Sequence, residues 1–179
     1  MVAGQPFYGE WTALLILLET GTTTKLVLVD YKVNSGFGNQ NIYDLTKPQV
    51  APKKSQLLIN MLVKGKPVFA LYESFEIGSE AYKYILRIST SASGNVSVPN
   101  SFGHYHNNMK FSTYDSDNDR NSRSCSQIYG NSGWWFNTCH VTLLTGVYDL
   151  KKPHTGGIVW RWNDKTVPSF VEMKIRRKD

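Results

Sequence analysis

Charge is sparse in this sequence and cysteine sparser still. Only 19% of the 179 residues are Asp, Glu, Lys or Arg, and no block of like charge or low-complexity tract occurs, which excludes a chain held open by self-repulsion. The formal net charge of +6 would suit nucleic acid if Lys and Arg clustered along a groove with aromatic platforms between them. The one dense run is Lys174, Arg176, Arg177 and Lys178 near the C-terminus. It reads as a solvated tail, so nucleic acid is not an expected partner. The longest apolar run, Trp11 to Leu18, falls well short of the ~20 residues a bilayer span requires. Glu10 and Glu19 flank it, and no basic leader or small-residue cleavage site accompanies it, so no export signal is visible. Catalytic signatures are missing too: there is no GxSxG elbow, no HExxH helix and no phosphate-binding Gly loop. Binding, and not enzymatic catalysis, is the expected role. The enzymatic alternative is a metal-assisted hydrolase built on the acidic run Asp115 to Asp119.

What is present is core material. Hydrophobic residues make up 41% and aromatics 13% of the chain, enough for one well-filled core and too little for two, so residues 1–179 are expected to form one domain. Branched and aromatic content predicts strands at Lys25–Val29 and Val68–Tyr72. The continuous apolar run Ser55–Val63, flanked by Lys and Gly, predicts a buried strand, and the alternation in Tyr82–Ser89 predicts another. Pro48–Lys54 holds two prolines and cannot lie inside a helix. Helical content should be modest. From Ser91 the composition shifts to Ser, Asn, Gly and Asp, and periodicity fades until Val167. That half reads as a loop-rich functional region. Trp134, Trp135, Trp160 and Trp162 are expected in the core. His104 and His106 form an HxH, but no further Cys or His stands at ligand spacing, so surface or hydrogen-bonded histidines are expected and not zinc. The sole N-x-[ST] sequon is Asn95-Val96-Ser97, whose use would require secretion.

The whole thiol inventory is Cys125 and Cys139, with a Gly-, Asn- and Ser-rich segment between them. A disulfide closing such a loop would remove roughly 3 kcal/mol of unfolded-chain entropy and would favour an oxidising compartment. Spacing alone leaves two reduced thiols as the alternative. Just upstream, Asp115-Ser116-Asp117-Asn118-Asp119 alternates carboxylates in a polar loop, hard oxygen donors that suit calcium. The register is not that of an EF-hand, since Arg120 stands where the loop needs Gly and Ser126 where it needs the bidentate Glu.

Asn107 to Thr113 leading into Asp115–Asp119 resembles the signature of the fibrinogen C-terminal domain. Cys125, Gly133-Trp134-Trp135, Asn137 and Cys139-His140 follow at that family's spacing, then Gly146-Val147-Tyr148, Gly157 to Trp160 and Glu172 to Ile175 in its order. Upstream, Gly9 to Thr12, Tyr31-Lys32 with Gly36 to Asn39, and Tyr72 through Phe75 to Glu80 extend the resemblance, with Asn34-Ser35 as an apparent insertion. The resemblance implies an α+β fold with a twisted, mainly antiparallel sheet. In it, residues 1–100 form a shortened N-terminal part and central sheet, and residues 101–179 a loop-rich calcium- and ligand-binding subdomain. It further implies a segment with its own disulfide ahead of residue 1, a secreted protein, and possible multimerisation through a region outside this chain.

Carried over residue by residue, the resemblance places calcium on the carboxylates of Asp117 and Asp119 and the backbone carbonyls of Asn121 and Arg123, with Asp115 bracing the loop. In the acetyl-recognising, ficolin- and tachylectin-type lectins of the family, an adjoining pocket holds an N-acetyl group with an aromatic wall, a His and a backbone donor at a cis peptide before the second cysteine. The matching residues are Tyr129, Thr138, Cys139 and His140, with Cys125 and Cys139 as the disulfide. His154 and Thr155 stand where those lectins have a second aromatic wall and a small residue. The rival peptide pocket of fibrin, which grips an N-terminal amine with carboxylates, is expected to be lost, since Tyr129 and Thr155 occupy its positions. The expected partners are acetylated or otherwise decorated glycans in innate defence. The alternative is a protein ligand, as for a domain of a secreted signalling or matrix protein.

Overall fold

The structure is a computed structural model that describes the strand at 12–16 and residues 38–48, 54–147, 156–161 and 166–177. Chain order runs β1 (Thr12–Ile16), α1 (Asn39–Thr46), β2 (Ser55–Val63), β3 (Lys66–Tyr72), β4 (Phe75–Ile77), a 3-10 turn (Glu80–Tyr82), β5 (Leu86–Ile88) and β6 (Ser93–Gly94). Then come α2 (Ser101–His106), α3 (Cys125–Ile128) and β7 (Pro168–Arg177). The fold is α+β. A five-stranded sheet has the order β1-β7-β2-β3-β6, and each neighbouring pair in it is antiparallel.

The run read as a buried strand is β2, which lies between β7 and β3 and is buried at its first five positions. A strand covered on both faces has little polar side to present, which explains the consecutive apolar residues Leu57, Leu58 and Ile59 in place of alternation. Lys64 and Gly65, both at positive φ (49° and 73°), make the two-residue turn into β3. That is the backbone hand that matches the twist of a tight hairpin. β3 contains the expected Val68–Tyr72 strand. The expectation for Tyr82–Ser89 is corrected: only Leu86–Ile88 is strand. Lys83 and Tyr84 adopt left-handed φ values of 55° and 47°, so their alternating side chains sit in a turn and not on a pleat. The expected strand at Lys25–Val29 lies outside the described residues, as do Trp162 and most of Pro48–Lys54.

The last strand crosses back to the sheet built by the first half of the chain, inserting between β1 and β2. Thus Val171, Met173 and Ile175 join Leu57, Ile59, Ala70 and Tyr72 in a core that also takes in Trp134, Trp135, Phe136 and Trp160. Phe102 on α2 is the joint between sheet and loops. Its ring lies 5.9 Å from Tyr72 on β3 and 5.1 Å from Trp134, aromatic geometry that adds to plain area burial.

Candidate functional site

The acidic loop is shaped by its asparagine before any carboxylate is considered. Asn118 carries no charge but makes the frame: its backbone amide donates to Ser112 Oγ at 2.9 Å, and its Nδ2 donates to the Phe111 carbonyl at 2.9 Å. Asp115 accepts from Thr113 Oγ1 at 2.6 Å, and that bond holds its carboxyl below its ordinary value. Asp117 is exposed, and its Oδ1 accepts from the Asp119 amide at 3.3 Å. Asp119 is half-buried and grips the backbone downstream of it, Oδ1 accepting from the Asn121 amide and Oδ2 from the Cys125 amide, both at 2.8 Å. Desolvation raises the Asp119 carboxyl above its usual value. The two amides oppose the shift, and the neighbouring Asp117 charge adds to it.

Asp119 therefore ties the loop to the start of α3, where Cys125 is bonded to Cys139 with Cα atoms 5.5 Å apart. The disulfide, one of two readings the spacing allowed, is formed. Asn121 reaches the same place, its Nδ2 donating to Cys139 Sγ at 3.0 Å. On the far side of the bridge, Asn137 donates its amide to the Cys139 carbonyl at 2.7 Å, accepts from the Arg120 amide at 3.1 Å, and donates Nδ2 to the Tyr105 carbonyl at 3.1 Å. The Thr138–Cys139 peptide is cis, at the position the resemblance implies. Thr138 is exposed, with its hydroxyl 3.1 Å from that of Tyr105.

Immediately after Cys139, His140 stands at right angles to the Tyr129 ring, with centroids 4.4 Å apart, and 6.2 Å from Phe136. Burial lowers the His140 pKa to about 4, so the ring is neutral at pH 7. Gly156, at φ +102°, brings its backbone against Tyr129: a Cβ there would lie 2.7 Å from the Tyr129 carbonyl carbon and 2.8 Å from the Gly130 nitrogen. Only glycine permits that approach. His154 and Thr155 lie outside the described residues.

Tyr129, Thr138, Cys139 and His140 are thus gathered at one corner, joined by the disulfide and by Asp119 and Asn121 to the loop bearing Asp117 and Arg123. Arg123 is exposed. The HxH splits into different environments: His104 is exposed, whereas His106 is fully buried. His106 Nδ1 lies 2.7 Å from the Trp135 carbonyl, and Nε2 lies 3.3 and 3.2 Å from the Val141 and Thr142 amides. Only the tautomer protonated at Nδ1 satisfies all three, since a carbonyl accepts and amides donate. His106 holds α2, the Trp pair and the segment after His140 together. The sequence pattern assigned no such role to it, to Asn121's side chain or to Asn137, because each works through partners remote in sequence.

Residues 28–178 match the family model of the fibrinogen beta and gamma chains, C-terminal globular domain. Techylectin-5A of Tachypleus tridentatus is 38% identical over 150 residues, covering 78% of this chain and 46% of that protein. Tenascin-R of Gallus gallus is 34% identical over 161 residues, 82% of this chain and 11% of that protein. The chain therefore spans less than half the length of these relatives. Among solved structures, the fibrinogen-like globe domain of human ANGPTL2 superposes with a TM-score of 0.77 at 28% identity, covering 97% of this chain and 82% of that one. Lamprey fibrin D-dimer, complexed with the peptide Gly-His-Arg-Pro-amide, gives a TM-score of 0.63 at 28% identity over 78% of this chain and 49% of that one. Among the described residues, no helix is long and apolar enough to cross a membrane.

Proposed function

The chain belongs to the fibrinogen C-terminal domain family, and from that premise we propose that it is an extracellular, calcium-stabilised recognition module whose ligand is an N-acetylated glycan. The observation that carries this reading is the corner of Tyr129 and His140 set against the disulfide and tethered to the acidic loop. A neutral imidazole and a phenol ring offer an apolar wall for an acetyl methyl. The Cys139 amide, which meets no acceptor among the described residues, offers a donor for the acetyl carbonyl, which would otherwise be buried unpaired. Membership of a family of binding modules supports recognition as the role. The similarity to Techylectin-5A, a protein named as a lectin, favours glycan over other ligands.

Asp117 and Asp119, with the carbonyls of Asn121 and Arg123, would hold the calcium ion. The donor set fits. Each oxygen of Asp119 accepts one backbone amide and keeps a lone pair, since an ionised carboxylate has about four acceptor sites. Bound calcium supplies positive charge between carboxylates that otherwise repel, and all-oxygen sites with carbonyls and water suit it better than magnesium. Weak single-site binding would be strengthened by multimerisation.

A protein ligand is the second reading, favoured by the peptide seated on the lamprey neighbour and by the departures at His154 and Thr155. Calorimetric titration of the oxidised domain with N-acetylglucosamine separates the two. We expect heat that requires calcium, vanishes with chelator, and is lost in His140→Ala. A calcium-dependent rise in Tm without any sugar heat would overturn the glycan reading in favour of a protein ligand.

A further inference from the structure

We infer that Asn95 carries an N-linked glycan. The sequon Asn95-Val96-Ser97 comes directly after β6, the edge strand of the five-stranded sheet. Its three residues are placed as modification requires: Asn95 and Ser97 are exposed, while Val96 is buried and anchors the segment to the core. The Asn95 side chain is not idle. Its Oδ1 accepts from the Phe69 amide on β3 at 2.8 Å, standing in for the ladder partner that the two-residue β6 is too short to provide.

That bond fixes which end of the amide is available. With Oδ1 turned to Phe69, Nδ2 is the opposite arm of a planar group, and it has no partner among the described residues. N-glycosylation uses Nδ2 alone and leaves Oδ1 as an acceptor, so the Phe69 bond survives the modification. The donor is a polyprenyl-pyrophosphate-linked oligosaccharide. Nδ2 bonds to the anomeric carbon of its first N-acetylglucosamine, the bond from that carbon to the pyrophosphate oxygen breaks, and the lipid pyrophosphate leaves. One Nδ2 proton passes to a base of the transferase.

The inference rests on the proposed extracellular reading, because the transferase acts in the secretory compartment. The test expresses the chain behind a supplied secretion leader in eukaryotic cells and takes intact masses of the pooled lumenal and secreted protein. Peptide N-glycosidase digestion in heavy-oxygen water comes next. We expect one oligosaccharide's mass excess, removed by the glycosidase, with the heavy-oxygen label at position 95. Ser97→Thr should keep the excess, whereas Asn95→Gln and Ser97→Ala should lose it. Since Ser97→Ala leaves Oδ1 of Asn95 on Phe69, loss of sugar there cannot be ascribed to a broken edge. A wild-type mass equal to the bare polypeptide overturns the inference, whatever the calorimetry shows. Conversely, a glycan at position 95 with no heat from N-acetylglucosamine overturns the ligand reading alone.

Discussion

At the residue scale, His106 sets how the molecule answers to acid. Burial is the main cause of a pKa lowered to about 3, with the Trp135 carbonyl partly opposing it, against an ordinary value of 6.5. Protonation would put a proton on Nε2, the atom that accepts from Val141 and Thr142. Because the folded value lies below the unfolded one, the unfolded chain binds more protons between them. Stability is fully present above about pH 7 and declines as pH falls through 6.5 toward 3, by up to about 1.4 kcal/mol per pH unit for each such histidine. His140, lowered to about 4 by burial, adds to the same slope with the same sign. Urea unfolding at a series of pH values should show this decline, and it should shallow in His106→Ala. That variant also strands two amides and a carbonyl, so its stability at pH 7 should fall by about 3 kcal/mol or more. An unchanged midpoint would contradict the assigned role.

At the scale of elements, the acidic loop, α3 and the segment 137–140 behave as one unit because Asp119 and the disulfide cross-link them. Asp119→Ala removes both amide contacts, and we expect a loss of about 1–3 kcal/mol without calcium. The wild type should gain Tm on adding calcium, and the variant should not. Differential scanning calorimetry in chelator and in calcium checks both parts. Equal calcium responses would move the ion away from this loop. The unit is also why only part of the site could be read in advance. Asp117, Asp119, Cys125 and Cys139 stand in recognisable spacing, but Asn121 and Asn137 are common loop residues whose roles exist only once the Cys139 sulfur and the Tyr105 carbonyl are brought beside them. The strand expected over Tyr82–Ser89 failed for a local reason: the left-handed pair Lys83 and Tyr84 turns the chain and Tyr82 is exposed, so the alternation in the sequence becomes alternation in burial only over Leu86–Ile88.

At the scale of the whole molecule, the sheet is closed by its last strand. β7 pairs with β1 on one side and β2 on the other, and it buries Val171, Met173 and Ile175, each worth about 1.5–3 kcal/mol. Their sum is comparable to the roughly 5–15 kcal/mol net stability of a domain. Deleting residues 168–177 should therefore abolish the native state, and not merely weaken it. Near-UV circular dichroism should lose its aromatic signal, the Trp134, Trp135 and Phe102 cluster loosening together with the sheet. A deletion variant that kept that signal would show that the loop half folds without the sheet.

The sequence by itself determined β2 as a buried strand, the Val68–Tyr72 strand and the loop-rich second half. Those are set by composition, periodicity and short spacing, all local quantities. The tertiary structure alone decided that β7 runs between β1 and β2, and that the two thiols are joined. It also decided that His106 is a neutral pin whose partners lie 29 to 36 residues away, and that Tyr129 meets His140 edge to face. Such pairings depend on how the chain returns on itself around one core, where the free energy is shared among many distant contacts and no single stretch of sequence carries it.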